Sequence, residues 1–188
     1  MSKAFIFGVG LNKTGTTSIA KALKILGIST RHSDPENAAS LKSGCWPEDV
    51  DAFLDGPIHA HQFELAEQFP EALFIQTVRP MDDWINSRIV HVLHNRLRND
   101  GDPWLEIDTV AWRQEYEEWE KNAKLFREQN PGRVLYWALD QDANWNSLCR
   151  FLKLSVPDEE FPHRNRGHWR LFDILERYRC YPPTLNDA

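Results

Sequence analysis

The sequence predicts a three-layer α/β/α fold with a central parallel sheet. Short, strongly apolar segments that read as buried strands alternate with longer segments of helical periodicity. This alternation is typical of a parallel sheet covered by helices on both faces. The chain has 188 residues, of which 41% are hydrophobic and 27% are charged. That length and composition fit one globular domain over residues 1–188 and exclude a chain that is disordered throughout.

The first half of the chain begins with residues 4–9, a brief apolar run that ends in glycines and reads as a buried strand. Thr16–Leu26 has helical spacing of its apolar residues, and Gly27 stands where a C-terminal cap is expected. Thr30–Ser33 is predicted to be a second strand or its exit. The segments that follow are predicted as short helical pieces over 34–54, a third strand at Ile58–Ala60, and a helix through Phe69 that Pro70 ends.

The second half contains the most strand-like segment of the chain, Ala72–Val78, which Arg79 and Pro80 end. Ligands bind beyond the carboxyl ends of parallel strands, so the loops 8–17, 55–61 and 79–87 are the first places to look for a site. The remaining predicted elements are helices at Met81–Leu97, Asp108–Gln129 and Trp145–Leu152, a strand at Arg133–Leu139, a Pro- and charge-rich loop at 155–168, and a last helix at Trp169–Tyr178.

Charge and cysteine content limit the classes of function. The net charge is −6, which argues against a general nucleic-acid binder and against a basic protein of the membrane surface. The three cysteines form neither a zinc-type pair nor a disulfide framework, so a reducing compartment is expected. No apolar run approaches the ~20 residues of a membrane span. We therefore expect a cytoplasmic protein with no nucleic-acid or membrane partner.

A glycine-rich segment, G-V-G-L-N-K-T-G-T-T-S, lies between the first strand and the first helix. Backbone N–H groups at such a turn, together with the positive end of the helix dipole, form a cradle for an anion. Gly10 and Gly15 have the spacing of the nucleotide-binding P-loop G-x-x-x-x-G-K-S/T. The only lysine within the segment is Lys13, however, and Thr16 occupies the position of the P-loop lysine. A triphosphatase needs that lysine and a magnesium ion. The segment therefore predicts a P-loop-type site for a single phosphate that bears a less charged group, without an obligatory metal.

At these residues the chain resembles the sulfotransferases that use 3′-phosphoadenosine 5′-phosphosulfate (PAPS), in their compact bacterial-type branch. The resemblance implies that the chain is an enzyme of this kind. It also implies that Lys13 neutralises the leaving phosphate. The residues that would hold the 5′-phosphosulfate are consecutive: Lys13, Thr14, Gly15, Thr16 and Thr17.

Two further segments extend the resemblance. F-I-Q-T-V-R-P-M-D-D-W-I-N-S-R resembles the family's 3′-phosphate element, in which a strand ends in Arg and Ser follows eight residues later; here these are Arg79 and Ser87. Residues 145–165 resemble a segment near the family's C-terminus. The chain departs from the hormone- and drug-sulfating enzymes at 164–170, where R-N-R-G-H-W-R replaces R-K-G-x-x-G-D-W-K. Arg164, Arg166 or Arg170 in this segment could reach the 3′-phosphate or the adenine, and a solvated basic loop is an equal alternative.

Transfer of a sulfuryl group to a hydroxyl requires a base that removes the acceptor's proton. The resemblance predicts a base without placing it, and the candidates in strand-end loops are His59, His61 and His32, in that order. Each could equally be a hydrogen-bonded structural histidine. His59 and His61 would share one face of an extended chain, but no third ligand at diagnostic spacing accompanies them, so no metal is predicted. Asp55 could orient a base or cap the following turn.

The resulting interpretation is a sulfotransferase that uses PAPS, releases the 3′,5′-bisphosphate product (PAP) and acts on a small-molecule or glycan acceptor through a hydroxyl or an amine. Two alternatives stay open. One is a small-molecule kinase with a modified phosphate loop, and the other is a non-catalytic nucleotide-binding protein of the same fold. No motif bears on the oligomeric state or on the identity of the acceptor.

Overall fold

A computed structural model of the chain describes residues 4–98, 105–138, 141 and 144–162. Its strands are β1 (Ile6–Gly8), β2 (Thr30–His32), β3 (Ala52–Leu54), β4 (Leu73–Val78) and β5 (Val134–Ala138), and its helices are α1 (Thr16–Ile25), α2 (Glu36–Ser43), a 3₁₀ helix (Gly56–His61), α3 (Gln62–Gln68), α4 (Met81–Arg98), α5 (Thr109–Gln129) and α6 (Trp145–Leu152). The strands form one sheet in the order β2-β3-β1-β4-β5, and every neighbouring pair is parallel. The predicted fold class, a parallel sheet flanked by helices, is confirmed.

Two hydrophobic cores lie on opposite faces of the sheet, because successive side chains of a strand point to opposite sides. Each fully buried large side chain in them contributes about 1.5–3 kcal/mol to folding. One core joins side chains of β1, β3 and β4 to α1 and α6; its members include Ile6, Leu54, Ile75, Ile19, Leu23 and Leu148. The other joins the same strands to α3 and α5; its members include Phe7, Phe53, Phe74, Leu65 and Phe126.

The main helices and four of the five strands were predicted within a few residues, but two predictions in the middle of the chain were wrong. The helical pieces predicted over 34–54 include only α2, and residues 52–54 form β3 between β1 and β2. All three β3 side chains are fully buried, and the extended conformation of this segment depends on its pairing with β1 and β2. The strand predicted at Ile58–Ala60 is instead part of the 3₁₀ helix, which Pro57 favours in its first turn. The last predicted helix, Trp169–Tyr178, lies outside the described residues.

The chain divides into two compact units, and the prediction of a single domain over 1–188 stays a prediction. The first unit comprises residues 1–79 and 117–164 and contains the whole sheet; the second comprises 80–116 and 165–188. In the second unit the guanidinium of Arg88 lies 4.6 Å from the ring centroid of Trp84 and 4.7 Å from that of Trp112. Arg88 also pairs with Glu115, so one buried cation ties α4 to the start of α5. None of the helices in the described ranges combines the length and the apolar character that crossing a membrane requires.

Candidate functional site

The glycine-rich segment lies at the carboxyl edge of the sheet, between β1 and α1, and it packs closely against β4. The Val9 N–H donates to the Ile75 carbonyl at 2.9 Å, which continues the pairing of the strands. At position 10 a Cβ atom would lie 2.0 Å from Thr77 Oγ1 and 2.5 Å from the Thr77 carbonyl oxygen. Glycine is therefore required at position 10 for steric reasons, and this contact fixes where the loop leaves the sheet.

The Thr14 side chain holds the loop in place and is not available to a ligand. It is fully buried. Its hydroxyl donates to the Leu11 carbonyl at 2.5 Å and lies 2.6 Å from Thr77 Oγ1. What Thr14 can offer to a bound anion is its backbone N–H. Thr77, which sequence analysis did not single out, is thus a second support of the loop.

A third support comes from α5. The indole Nε1–H of Trp119 donates to the Val9 carbonyl at 3.2 Å, and both residues are buried. Trp119 fits the apolar stripe of a charged helix, so its periodicity alone predicts packing and nothing more. The hydrogen bond joins residues 110 positions apart in the chain. No signal in the local sequence could have revealed it.

The N-terminus of α1 has the features of an anion site. Gly15 occupies the N-cap position with φ of 108°, and no side chain in the described part of the chain caps the helix. Ser18 and Ile19 donate their N–H groups to the Gly15 carbonyl, at 2.9 and 3.1 Å, whereas those of residues 15–17 have no intrahelical acceptor. The first turn contains no acidic residue, and Lys13 lies two residues before the N-cap. Backbone donors are therefore available where the helix dipole already favours an anion, and Lys13 adds a positive charge nearby in the chain.

A second polar cluster lies at the same edge of the sheet and includes Thr16, the first residue of α1. In the parallel register His32 lies opposite Leu54, so the next residue, Asp55, meets His32 as the two strands end. His32 Nε2 lies 3.1 Å from Thr16 Oγ1 and 3.4 Å from Asp55 Oδ2. Thr16 Oγ1 donates to Asp55 Oδ2 at 3.3 Å, and Ser33 Oγ donates to the same oxygen at 2.9 Å.

The environment of His32 favours its neutral form. Burial lowers the pKa of His32 below its ordinary value of 6.5, the Asp55 carboxylate partly offsets this by raising it, and Lys24 lowers it further. An imidazole that is neutral near pH 7 can accept a proton, which a protonated one cannot do. His32, the last of the three histidines in the predicted order, thus combines a lowered pKa with a part-buried contact to the Asp55 carboxylate.

The other two histidines do not lie on an extended chain, so the expectation that they share one face of a strand is wrong. His59 and His61 belong to the 3₁₀ helix, because the Asp55 side chain caps Gly56 and Pro57 favours a helical turn. His59 Nδ1 lies 3.0 Å from the Gly56 carbonyl oxygen. The side chain of His61 is 44% exposed and lies 4.0 Å from a Glu64 carboxylate oxygen. Within the described ranges no three His, Cys, Asp or Glu side chains are placed to hold a metal ion.

The remaining predicted site residues fall in three different places. Arg79 follows β4 directly, at the same edge of the sheet as the glycine-rich loop, and is half-buried. Ser87 is also half-buried and lies in α4, in the second unit. Arg166 lies outside the described residues. The structure thus brings Thr16, His32 and Asp55 together, and the assignments of Arg79, Ser87 and Arg166 stay predictions.

Comparisons with known proteins identify the family of the chain. Residues 36–118 and 91–169 match a model described as a sulfotransferase domain. The chain is 25% identical over 207 residues to Ava biosynthesis cluster protein M of Aspergillus versicolor, and the alignment covers 82% of this chain and 78% of that protein. The matched ranges include Asp55, Arg79 and Ser87 and begin after the glycine-rich loop.

Two solved structures share the fold. Mouse sulfotransferase SULT7A1 complexed with PAP aligns with a TM-score of 0.53 and 16% identity, over 94% of this chain and 64% of the mouse chain. A sulfotransferase from Alicyclobacillus acidocaldarius aligns with a TM-score of 0.51 and 15% identity, over 96% of both chains. The chain therefore spans less than two thirds of the mouse chain but nearly all of the bacterial one. Since the family model matches more than half of its residues, the chain belongs to the sulfotransferase family.

Proposed function

We propose that this protein transfers a sulfuryl group from PAPS to a hydroxyl or amine of a small-molecule or glycan acceptor. The observation that carries the proposal is the uncapped N-terminus of α1, preceded by Lys13, in a chain of the sulfotransferase family. The mouse structure that shares the fold is a complex with PAP, which supports this choice of donor.

The residues at the N-terminus of α1 fit a single phosphate group. Their donors are backbone N–H groups and one lysine, and the first turn of the helix carries no carboxylate that would repel an anion. PAPS supplies the activated sulfuryl group on its 5′-phosphate. Lys13 and the N–H groups of residues 15–17 would bind that phosphate and stabilise the negative charge that develops on it.

The other end of the donor carries a 3′-phosphate. Arg79 offers a planar fork of N–H donors at the end of β4, which suits a phosphate, and the motif that contains it adds the hydroxyl of Ser87. We propose these two residues as the 3′-phosphate ligands on the strength of the motif.

Calorimetric titration with PAP tests the donor site. We expect the wild-type protein to bind PAP and Lys13→Ala to bind it about 10–100-fold more weakly, the equivalent of one charge-assisted hydrogen bond. Lys21→Ala is the matched control, since it removes the same charge from an exposed position on α1 and should bind as the wild type does. Alanine also keeps a Cβ at position 13, where φ is 64°, so the demand on the backbone is unchanged.

The proposal fails if the wild-type protein does not bind PAP, or if Lys13→Ala and Lys21→Ala bind it equally well. Magnesium-dependent turnover of ATP would favour the kinase alternative instead. Against that alternative, position 16, where the P-loop of a kinase has lysine, is a threonine whose hydroxyl is bonded to Asp55.

A further inference from the structure

Asp55 has a backbone conformation that almost no residue other than glycine adopts. Its φ is 66° and its ψ is −174°, a region in which a Cβ atom is strained. A glycine at this position would remove the strain. Such outliers concentrate at functional sites, where a particular side chain is needed in spite of the cost. The contacts of the Asp55 carboxylate indicate why an aspartate is needed at this position.

Capping of the 3₁₀ helix accounts for the contact of only one of the two carboxylate oxygens of Asp55. Oδ1 accepts the Gly56 N–H at 3.0 Å, which is the cap. Oδ2 faces the other way and receives the Ser33 hydroxyl at 2.9 Å and the Thr16 hydroxyl at 3.3 Å, with His32 Nε2 at 3.4 Å. Ser33 follows β2, His32 ends β2 and Thr16 begins α1, so the end of β2 and the start of α1 meet at Asp55 Oδ2. Ser33 itself has φ of 53°, so a second strained residue serves the same cluster.

These contacts favour one of the two ring nitrogens of a neutral His32 as the site of its proton. A carboxylate only accepts hydrogen bonds. Because the Thr16 hydroxyl donates to Asp55, its oxygen presents a lone pair to His32 Nε2, 3.1 Å away. With the hydroxyl directed in this way Nε2 faces two acceptors, and the tautomer that fits both is the one with its proton on Nε2. The lone pair of the ring is then on Nδ1, to which no group of the described residues is hydrogen-bonded.

We propose that Asp55 is a positioning residue that keeps the proton of neutral His32 on Nε2, so that Nδ1 of His32 is the base that deprotonates the sulfuryl acceptor. This inference rests on the proposed function. In the step, the acceptor oxygen forms a bond to sulfur while the bond from sulfur to the 5′-phosphate oxygen breaks. The electron pair of that bond leaves with the phosphate, and the acceptor's proton passes to Nδ1. The resulting imidazolium is next to the Asp55 carboxylate, which stabilises it.

Thr16 connects this base to the anion site. Its N–H belongs to the first turn of α1, and its hydroxyl bridges His32 and Asp55. Thr16 therefore contacts the proposed base and also offers one of the N–H groups proposed to bind the leaving phosphate. The charged groups that act on His32 are Asp55, which raises its pKa, and Lys24 of α1, which lowers it; burial has the largest effect and also lowers it.

Nitrogen-15 NMR of the imidazole ring tests the assignment without any acceptor. The His32 signal is identified by its loss in His32→Gln. We expect the neutral ring of the wild type to carry its proton on Nε2 and to titrate below 6.5. In Asp55→Asn the amide can donate to Nε2, so we expect the proton to move to Nδ1 in a large fraction of molecules and the titration midpoint to fall further. Asp34→Asn is the control, since Asp34 also accepts a backbone N–H but from exposed Glu36, and the tautomer should not change.

Turnover of PAPS with water as the acceptor tests the catalytic consequence. We expect His32→Gln to release PAP about 10²–10⁴-fold more slowly than the wild type, as for the loss of a general base. Asp55→Asn should be about 10–100-fold slower, as for the loss of a residue that orients another. Asp34→Asn should turn over PAPS at the wild-type rate.

Asp55→Gly separates function from folding, because glycine relieves the strain at φ of 66°. We expect this variant to melt no lower than Asp55→Asn and to bind PAP within twofold of wild type, yet to turn over PAPS as slowly as Asp55→Asn. The inference is overturned if the wild-type ring carries its proton on Nδ1, if Asp55→Asn leaves the tautomer unchanged, or if Asp55→Gly keeps wild-type turnover. Failure of the wild-type protein to bind PAP would instead overturn the proposed function, and the tautomer result would still stand.

Discussion

Replacing Gly10 with alanine tests the close approach that holds the phosphate loop against β4. The added Cβ would lie 2.5 Å from the Thr77 carbonyl oxygen and 2.8 Å from the Thr77 nitrogen, which are backbone atoms of an interior strand. Ordinary contact begins at 3.4 Å, so the loop has to move by about 0.9 Å. The 2.6 Å hydrogen bond between Thr14 and Thr77 would break as a result.

Both consequences cost stability. Forcing an extra carbon into a packed site costs about 1–3 kcal/mol, and leaving a buried hydroxyl without its partner costs about 1–3 kcal/mol. We therefore expect Gly10→Ala to lower the free energy of unfolding by about 2–6 kcal/mol in urea denaturation. The affinity for PAP should fall at least about tenfold, since the displaced loop no longer presents its N–H groups together.

Gly27→Ala provides the matched control. A Cβ at position 27 would meet no atom within 4 Å, so the cost comes only from its φ of 78° and should be about 1–2 kcal/mol. Its affinity for PAP should equal that of the wild type. If Gly10→Ala is no less stable than Gly27→Ala and binds PAP as tightly, the loop is not held against Thr77 in the way described.

Three further changes probe other parts of the molecule. Trp119→Phe removes the indole donor from the Val9 carbonyl and should cost about 1–2 kcal/mol in urea denaturation, with weaker binding of PAP by calorimetry. The pKa of His32 in the folded state lies below 6.5, so at pH values below 6.5 the unfolded chain binds more protons than the folded protein does, and stability is lost as the pH falls. Thermal unfolding between pH 7 and 5 should therefore show a smaller loss of stability in His32→Gln than in the wild type. Arg88→Met leaves Glu115 without its cation and should destabilise the protein by about 1–3 kcal/mol, and an equally stable variant would contradict the structural role of this pair.

The sheet could be predicted where its strands are long enough to show a pattern. Residues 4–9 and Ala72–Val78 are apolar runs with clear boundaries, and both contain strands. β3 has only three residues, too few for any periodicity, and its conformation depends on β1 and β2 on either side of it. The 3₁₀ helix was missed because Ile58 and Ala60 alternate with His59 and His61, which resembles the apolar and polar alternation of a strand.

The phosphate loop could be located from its motif, because backbone donors, glycines and the start of a helix follow one another in the chain. The supports of the loop could not, since Thr77 and Trp119 are 63 and 110 positions from their partners. Contacts between residues distant in the chain also explain how the three histidines were ranked as candidate bases. His32 ranks last when only nearby residues are considered, and it becomes the best-placed base once the register of β2 and β3 puts Asp55 beside it.

The central claim is that this chain transfers sulfuryl groups. The most direct test is to incubate the protein with PAPS and a metabolite extract and to search by mass spectrometry for products heavier by one sulfuryl group. We expect at least one such product, formed together with an equal amount of PAP and lost in Lys13→Ala. Products that are phosphorylated and require magnesium and ATP, or binding of PAP without any sulfated product, would contradict the claim.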